Sequence, residues 1–199
     1  MRKILCLSII CCLSILYCFS QEKNLIEDKF LIILDIQEYY TNDKLPEGDA
    51  QKLIDSINYV ISNTSPNNVI YIKSIHKLLN LSLSYPFIYV SLDTLAMCLD
   101  KRMNLVNEHI FLKEESNTFT VKELNHFLKQ NNAKEIIIIG LMAEQCISES
   151  LIAGKELGYD MYIIPEAIIG ESPKSKDKAL KALSKEGVKI LDIKTLNNE

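Results

Sequence analysis

Uniformly apolar stretches alternate along the chain with stretches of helical periodicity. The apolar runs are FLIILDIQ, NNVIYIKS, EHIFLK, KEIIIIG and DMYIIPEA. None of them shows the strict apolar–polar alternation of a strand that has one face in water, and such runs are typical of strands buried on both faces of a parallel sheet. The segment VKILDI predicts a last, short strand.

Two segments between these runs show one apolar helical face. Residues 45–63 have apolar side chains at 53, 54, 57, 60 and 61, which is the spacing of a helix that packs on a core. Residues 120–133 have an apolar face at 121, 124, 127 and 128. Thr120 and Glu123 stand at the spacing of a capping box, so the second helix is predicted to begin there.

Two further helices are predicted over 144–160, ending near Gly158, and over 172–187. Residues 77–103 mix both periods and are predicted as irregular structure with a short helix. Strands and helices that alternate in this way predict an α/β fold, a three-layer sandwich in which helices flank both faces of a mostly parallel sheet.

Reactive residues follow three of the predicted strands. Binding sites in parallel sheets lie beyond the carboxyl ends of the strands. Asp35, Lys113 and the turn at Gly140 all come at such ends, and Cys146 follows that turn. We therefore expect an acid, a base and a thiol to meet at one edge of the sheet.

The first 20 residues have the layout of a secretory signal peptide. A basic start precedes an uncharged apolar run from Ile4 to Phe19, and a small residue stands before a cleavage site at Ser20–Gln21. We predict a signal peptide at 1–20, one domain over 21–199, and export to the periplasm or the medium. The alternatives are an uncleaved membrane anchor, for which the run is short, and a lipoprotein.

The charge and the cysteine content argue against some classes of partner and of site. The formal net charge of −4, without a long run of Lys or Arg, argues against a nucleic-acid partner. Most of the six cysteines lie in the predicted signal peptide, which leaves Cys98 and Cys146 in the exported chain. Two cysteines are too few for a disulfide framework or for a metal site built on cysteines. A single Cys98–Cys146 disulfide with a redox role stays open.

The three strand ends suggest a nucleophilic site. Cys146 lies in the first turn of its predicted helix, where the helix N-terminus and Lys113 both favour a thiolate. Asp35 can take the thiol proton and return it to a leaving amine. The backbone N–H groups from Met142 to Cys146 are at the helix start, where they can bind an oxyanion.

Three blocks of the sequence resemble the signature blocks of the isochorismatase-like cysteine hydrolases, the superfamily that includes nicotinamidases. The blocks are LIILDIQEYY, IFLKEESNTF and the stretch from Ile136 to Ala167, and they occur in the family's order. The matching positions are Asp35, Gln37 and Tyr40 in the first block, Lys113 and Phe119 in the second, and Gly140, Glu144 and Cys146 in the third.

This resemblance implies a catalytic triad of Asp35, Lys113 and Cys146. The triad would cleave the C–N bond of a small amide or ureido substrate through a covalent intermediate on the thiol. The resemblance also implies a cis peptide at Leu141–Met142 and an oxyanion hole built from the amides of Met142 and Cys146. The residues expected in the substrate pocket are Gln37, Tyr40 and Phe119.

Two departures from the family pattern qualify this function. Ala143 stands where the family usually has Thr. Nicotinamidases carry an Asp-x-His metal motif after the second strand, whereas this chain has Ser74-Ile75-His76 there, which argues against nicotinamide as the substrate. We predict no metal and no other cofactor, a small-molecule substrate, and no stable membrane partner after signal removal. Family members commonly form homo-oligomers, and the sequence leaves open whether this chain does. The alternative is a non-catalytic small-molecule-binding protein of the same fold.

Overall fold

The computed structural model describes residues 26–75, 77–82, 85–91 and 97–196, with only the backbone described for Asp43, 77–82 and 85–91. The predicted signal peptide and His76 lie outside the described residues. Strands are present at β1 (Phe30–Leu34), β2 (Val69–Ser74), β3 (Lys77–Ser82), β4 (Tyr85–Ser91), β5 (Ile110–Lys113), β6 (Glu135–Gly140), β7 (Asp160–Ile168) and β8 (Lys189–Ile190). The α-helices are α1 (Glu38–Asp43), α2 (Glu47–Ser62), α3 (Lys122–Gln130), α4 (Ser148–Glu156) and α5 (Pro173–Lys185).

Six strands form one parallel sheet in the order β5-β2-β1-β6-β7-β8. The chain moves outward from β1 through β2 to β5, crosses back to β6, and then moves outward in the other direction. Right-handed crossovers therefore place α2 on one face and the later helices α3, α4 and α5 on the other. The predicted α/β fold, with helices on both faces of a mostly parallel sheet, is confirmed.

The strand order reverses between β1 and β6, and this reversal determines where a site can form. In open α/β sheets, ligands bind outside the carboxyl ends of the strands at such a switch point. Apart from Glu135 at the start of β6, both central strands are apolar, because helices cover both faces. Leu31 and Ile32 of β1 and Ile136 to Ile139 of β6 are completely buried.

The predicted helical faces are confirmed, but the predicted capping box at the start of α3 is wrong. The apolar positions of α2 that the sequence indicated are all buried, as are Leu124 and Leu128 of α3. Thr120 does not cap α3, because it ends a short 3₁₀ turn and its hydroxyl donates to the carbonyl of Asn117 at 2.8 Å. The Thr120 hydroxyl thus makes a local hydrogen bond to the backbone instead of capping α3.

The stretch 77–103 is also different from the prediction of irregular structure. Its described part contains an antiparallel hairpin, in which β3 and β4 pair from Lys77–Ser91 to Ser82–Tyr85 with a register shift at Asn80/Leu81. The short helix was predicted without a position inside 77–103, and because residues 83, 84 and 92–96 lie outside the described residues, it stays a prediction. No helix in the described part of the chain is both long and apolar enough to cross a membrane.

Candidate active site

The carboxyl ends of β1 and β5 and the turn after β6 bring together Asp35, Lys113 and Cys146. The Lys113 Nζ atom lies 2.9 Å from Asp35 Oδ2 and 3.1 Å from Cys146 Sγ. Asp35 is 4% exposed and Lys113 is 2% exposed. Lysine is almost never buried to this extent without a partner, so the ammonium group is held in place by the carboxylate and the thiol.

Asp35 leaves β1 through an unusual backbone conformation. Its φ is +61°, in the left-handed region that few residues other than glycine adopt and that aspartate tolerates better than most. The Asp35 N–H still donates to the carbonyl of Ile72 at 3.0 Å, and the Asp35 carbonyl accepts from Gln37 N–H at 2.9 Å. The chain therefore turns sharply from the strand to α1 at the residue that carries the carboxylate.

Gly140 makes the corresponding turn after β6. Its φ is +118°, and a Cβ atom there would lie 2.2 Å from the carbonyl oxygen of Leu34. Only glycine allows β6 to approach β1 so closely at this point. The next peptide bond, Leu141–Met142, is cis, as the family resemblance implied. A π-helix over Ala143–Ile147 then carries Cys146 and leads directly into α4.

The backbone around Cys146 is partly committed to hydrogen bonds within the fold. The Met142 carbonyl accepts from the N–H groups of Gln145 at 3.1 Å and Ile147 at 3.2 Å. The Ala143 N–H donates to Ile169 O at 3.0 Å. Ala143 is therefore held by its backbone, and its amide is not an oxyanion donor. Met142 and Cys146, whose amides the resemblance assigns to the oxyanion hole, both line the cavity beside the triad.

The protonation of the triad differs from the sequence-based expectation. Burial, and then the charge of Asp35, raise the pKa of the Cys146 thiol, and these effects outweigh the opposite influence of Lys113. Burial alone would lower the pKa of Lys113, but Asp35 and Cys146 together raise it. The resting site therefore contains a charged lysine that donates to a neutral thiol, rather than a preformed thiolate.

Ser74 is a site residue that the sequence did not indicate as such. Its Oγ donates to Asp35 Oδ1 at 2.7 Å. Gln37, expected in the substrate pocket, is instead fully buried behind Ser74: Gln37 Oε1 accepts from the Ser74 N–H at 2.8 Å. Gln37 Nε2 donates to the carbonyls of Ser74 at 3.2 Å and Met97 at 2.9 Å. The sequence signals for Ser74 were its position at the end of a neighbouring strand and its place in the comparison with the nicotinamidase metal motif.

The other two expected pocket residues have different positions. Tyr40 lines the cavity. Phe119 is buried and stacks on Tyr159 with a centroid distance of 5.7 Å. Among the described residues it is not part of the cavity wall. Its ring lies close to Gly154 and Met161, between α4 and β7. An aromatic residue three positions from a helix start can face either a pocket or the core, and here the core packing prevails.

The cavity beside the triad has a volume of about 240 Å³. Besides the triad, it is lined by Tyr40, Lys44, Leu45, Ser74, Ile75, Glu114, Glu115, Ser116, Leu141, Met142 and Gln145. The segment directly after β5 and the segment after α1 thus both contribute to the wall. Their mixed apolar and charged side chains carry no pattern that the sequence alone could have assigned to a pocket.

The residues at the position of the nicotinamidase metal motif do not fit a divalent ion. Ser74 stands where the motif has its carboxylate, and its hydroxyl proton is used by Asp35. Within the described residues, no group of three or more His, Cys, Asp or Glu side chains could hold a metal ion. We therefore assign no step of the chemistry to a bound metal.

The fold and the site together define the class of protein. An acid, a lysine and a thiol at the switch point of a parallel sheet, next to a cis peptide, are the arrangement that the sequence blocks implied. The isochorismatase domain family matches residues 29–195 of this chain. The chain belongs to the isochorismatase family of hydrolases.

Individual relatives support the family assignment at low identity. Isochorismatase family protein 2A of Dictyostelium discoideum is 30% identical over 95 residues, which is 47% of either chain. The secreted isochorismatase effector Isc1 of Verticillium dahliae is 22% identical over 142 residues, 71% of this chain and 73% of the relative. The match thus spans about half the length of the first relative and almost three quarters of the second.

Solved structures share the fold. The pyrazinamidase of Pyrococcus horikoshii, in complex with zinc, superimposes with a TM-score of 0.66 at 22% sequence identity. The superposition covers 83% of this chain and 99% of the pyrazinamidase. At this identity the likeness establishes the architecture, and the substrate has to be argued from the site.

Proposed function

We propose that the protein is a cysteine amidohydrolase that cleaves the C–N bond of a small amide or ureido substrate through a covalent intermediate on Cys146. The observation that carries the proposal is the buried Lys113 ammonium, in contact with both the Asp35 carboxylate and the Cys146 thiol. The pyrazinamidase with the same fold supports the amide class. A thiol nucleophile also argues against hydrolysis of a vinyl ether such as isochorismate.

In the first half-reaction, one proton moves from the sulfur to the leaving nitrogen through Asp35, and a C–S bond replaces the C–N bond. The Cys146 thiol gives its proton to the Asp35 carboxylate as the sulfur attacks the carbonyl carbon. The new oxyanion accepts hydrogen bonds from the amides of Met142 and Cys146. When the intermediate collapses, the C–N bond breaks and the proton on Asp35 moves to the leaving nitrogen. The acyl group remains on sulfur.

The second half-reaction restores the enzyme. Asp35 takes a proton from a water molecule as the water oxygen attacks the acyl carbon. The C–S bond then breaks, the acid leaves, and Asp35 returns its proton to the sulfur, which regenerates the thiol and the carboxylate. Lys113 stays protonated throughout and balances whichever negative charge is present, that of the carboxylate or that of the thiolate. This explains why the neutral thiol of the resting site is compatible with a nucleophilic role.

The cavity restricts the size of the substrate. A volume of about 240 Å³ admits a molecule of a few heavy atoms beside the thiol and is below the usual range for drug-sized ligands. The wall combines apolar side chains such as Leu45 and Leu141 with polar ones such as Gln145. A secreted relative and the predicted signal peptide support export, so the substrate would be an extracellular or periplasmic small molecule.

The test is the release of ammonia from a panel of small amides and ureido compounds. The protein would be compared with its Cys146→Ala variant, with and without a chelator. We expect chelator-insensitive turnover that disappears in the variant. Turnover that survives in Cys146→Ala, or that is lost on chelation in the unmodified protein, contradicts the proposed mechanism.

A non-catalytic binding protein is the second candidate, and the raised pKa of Cys146 is the observation that favours it. An inert thiol should not react with iodoacetamide below about pH 8. In the proposed enzyme, Lys113 stabilises the thiolate that reacts, so Cys146 should be alkylated below that pH, and Lys113→Met should slow the reaction at least tenfold.

A further inference from the structure

Ser74 and Lys113 occupy different oxygens of the Asp35 carboxylate. The Ser74 hydroxyl is 2.7 Å from Oδ1, and the Lys113 ammonium is 2.9 Å from Oδ2. A carboxylate can only accept hydrogen bonds, so the Ser74 proton points at Asp35. The two strands that carry these donors are adjacent, with Ser74 and Lys113 directly paired in register.

The Ser74 backbone is fixed on both sides by one buried amide. Gln37 accepts from the Ser74 N–H at 2.8 Å and donates to the Ser74 carbonyl at 3.2 Å. Its second donor contact, 2.9 Å to the carbonyl of Met97, ties the pair to the segment that follows the hairpin. Because the backbone cannot shift, the position of the Ser74 hydroxyl is set relative to the sheet.

Tyr40 continues this line of hydrogen bonds to the cavity wall. The Tyr40 side chain is hydrogen-bonded to Ser74, and this contact by itself lowers the pKa of the phenol. Burial, followed by the charges of Asp35 and Cys146, raises the pKa of Tyr40 to about 12. The phenol therefore keeps its proton at neutral pH.

We infer that Ser74 is a positioning residue that fixes one oxygen of Asp35, so that the other oxygen is directed at Lys113 and Cys146, and that the Tyr40 hydroxyl holds Ser74 in turn. The inference rests on the proposed function, because it assumes that Asp35 transfers the proton. The titratable groups that face Asp35 are Lys113 from β5, Cys146 from the π-helix and Tyr40 from α1.

The inference is tested by comparing Ser74→Ala with Ser74→Thr. Losing a hydrogen bond to a charged group is expected to lower kcat about tenfold or more, with KM changed less than about twofold. The acid limb of the kcat profile should move to higher pH, because the lost hydrogen bond stabilised the charged form of the carboxylate. Ser74→Thr keeps the hydroxyl and should restore both. Tyr40→Phe should cause a smaller change in the same direction.

A matched control is Ser62→Ala, which removes an exposed hydroxyl that donates to the carbonyl of Tyr59 at 2.8 Å on α2 and should leave kcat and its pH profile unchanged. An unaltered kcat and pH profile in Ser74→Ala overturns the inference. Equal losses in the Ala and Thr variants, accompanied by a lower Tm, also overturn it, since they indicate a purely structural role.

Failure of the proposed function would be recognised separately. If the unmodified protein releases no ammonia from any compound, the rate of Cys146 alkylation by iodoacetamide is measured against pH instead. The positioning role then requires that Ser74→Ala alters this pH dependence and that Ser74→Thr restores it. An identical dependence in all three proteins refutes the role independently of turnover.

Discussion

The two ends of the central sheet both carry lysine–carboxylate pairs, but in opposite surroundings. At the carboxyl end, Lys113 and Asp35 are almost completely buried. At the amino end, Lys189 lies 3.0 Å from Asp160, with side chains 51% and 60% exposed. There the ammonium groups of Lys29 and Lys189 each lie 4.9 Å from the centroid of the Tyr162 ring.

The comparison shows that the same pair of residue types does different things according to its solvation. Exposed ion pairs contribute about 0–1 kcal/mol, because water screens them and ordering the side chains costs entropy. A buried pair often contributes no net stability, yet breaking it costs about 3–5 kcal/mol, since the remaining charge is uncompensated. A buried lysine retained at a strand end is therefore better explained by chemistry than by stability.

The largest expected effect is that of Lys113→Met. The substitution leaves Asp35 buried and charged without its cation, so we expect a loss of about 3–5 kcal/mol in the free energy of unfolding, together with loss of turnover. Urea unfolding monitored by circular dichroism measures the first. The double variant Lys113→Met/Asp35→Asn should regain most of the stability but no activity. A single variant as stable as the unmodified protein would refute the contrast between the two ends.

The next effect concerns glycines at the two ends. Gly140→Ala meets both a positive φ and the backbone oxygen of Leu34, with 2.2 Å between that atom and the added Cβ, so it should cost about 2–4 kcal/mol. Gly187 also has a positive φ, but its Cβ would meet only the movable Lys155 ammonium at 2.9 Å. Gly187→Ala should therefore cost about 1–2 kcal/mol.

The matched control for this pair is Gly48→Ala in α2, where nothing lies within 4 Å of the added Cβ and φ is negative. Alanine is the better helix former, so this variant should be neutral or slightly stabilised. Chemical denaturation gives all three values. If Gly187→Ala lowered the free energy of unfolding as much as Gly140→Ala, the close approach of β6 to β1 would not explain the loss in Gly140→Ala.

A smaller effect is expected at alkaline pH. The pKa of Lys113 is raised above its ordinary value of 10.5, so the folded state binds this proton more tightly than the unfolded state. The associated stability is fully present below that value and is lost as the pH rises through the folded pKa. The difference in unfolding free energy between the unmodified protein and Lys113→Met should therefore shrink above about pH 10.5. If the difference grows above that pH instead, folding lowers the pKa of Lys113 rather than raising it.

The smallest effect is that of Lys189→Met at the exposed end. Because this lysine is in water, the change in Tm should be no more than about 2 °C, and turnover should be unchanged. Added salt should reduce the difference further, since it screens exposed charges. A loss comparable to that of Lys113→Met would mean that solvation does not separate the two ends.

Much of the architecture and the identity of the reactive residues could be predicted from the sequence. Uniform apolar runs predict buried strands because both faces of each strand must be covered, and they locate the strand ends at which Asp35 and Lys113 stand. The predicted helix start after Gly140 indicated Cys146, and the resemblance of the three blocks to a known family implied the cis peptide at Leu141–Met142. These features depend on local pattern and chain order, which the sequence states directly.

Other features depend on which elements become neighbours in space. Ser74 acts on Asp35 only because β2 lies next to β1, and Gln37 lies behind Ser74 rather than in the pocket for the same reason. Phe119 faces the core because its ring packs against Tyr159 and Gly154. The protonation of Cys146 follows from burial beside a carboxylate, which no residue pattern expresses. Burial and pairing between distant segments are properties of the packed chain, so only the tertiary structure decided them.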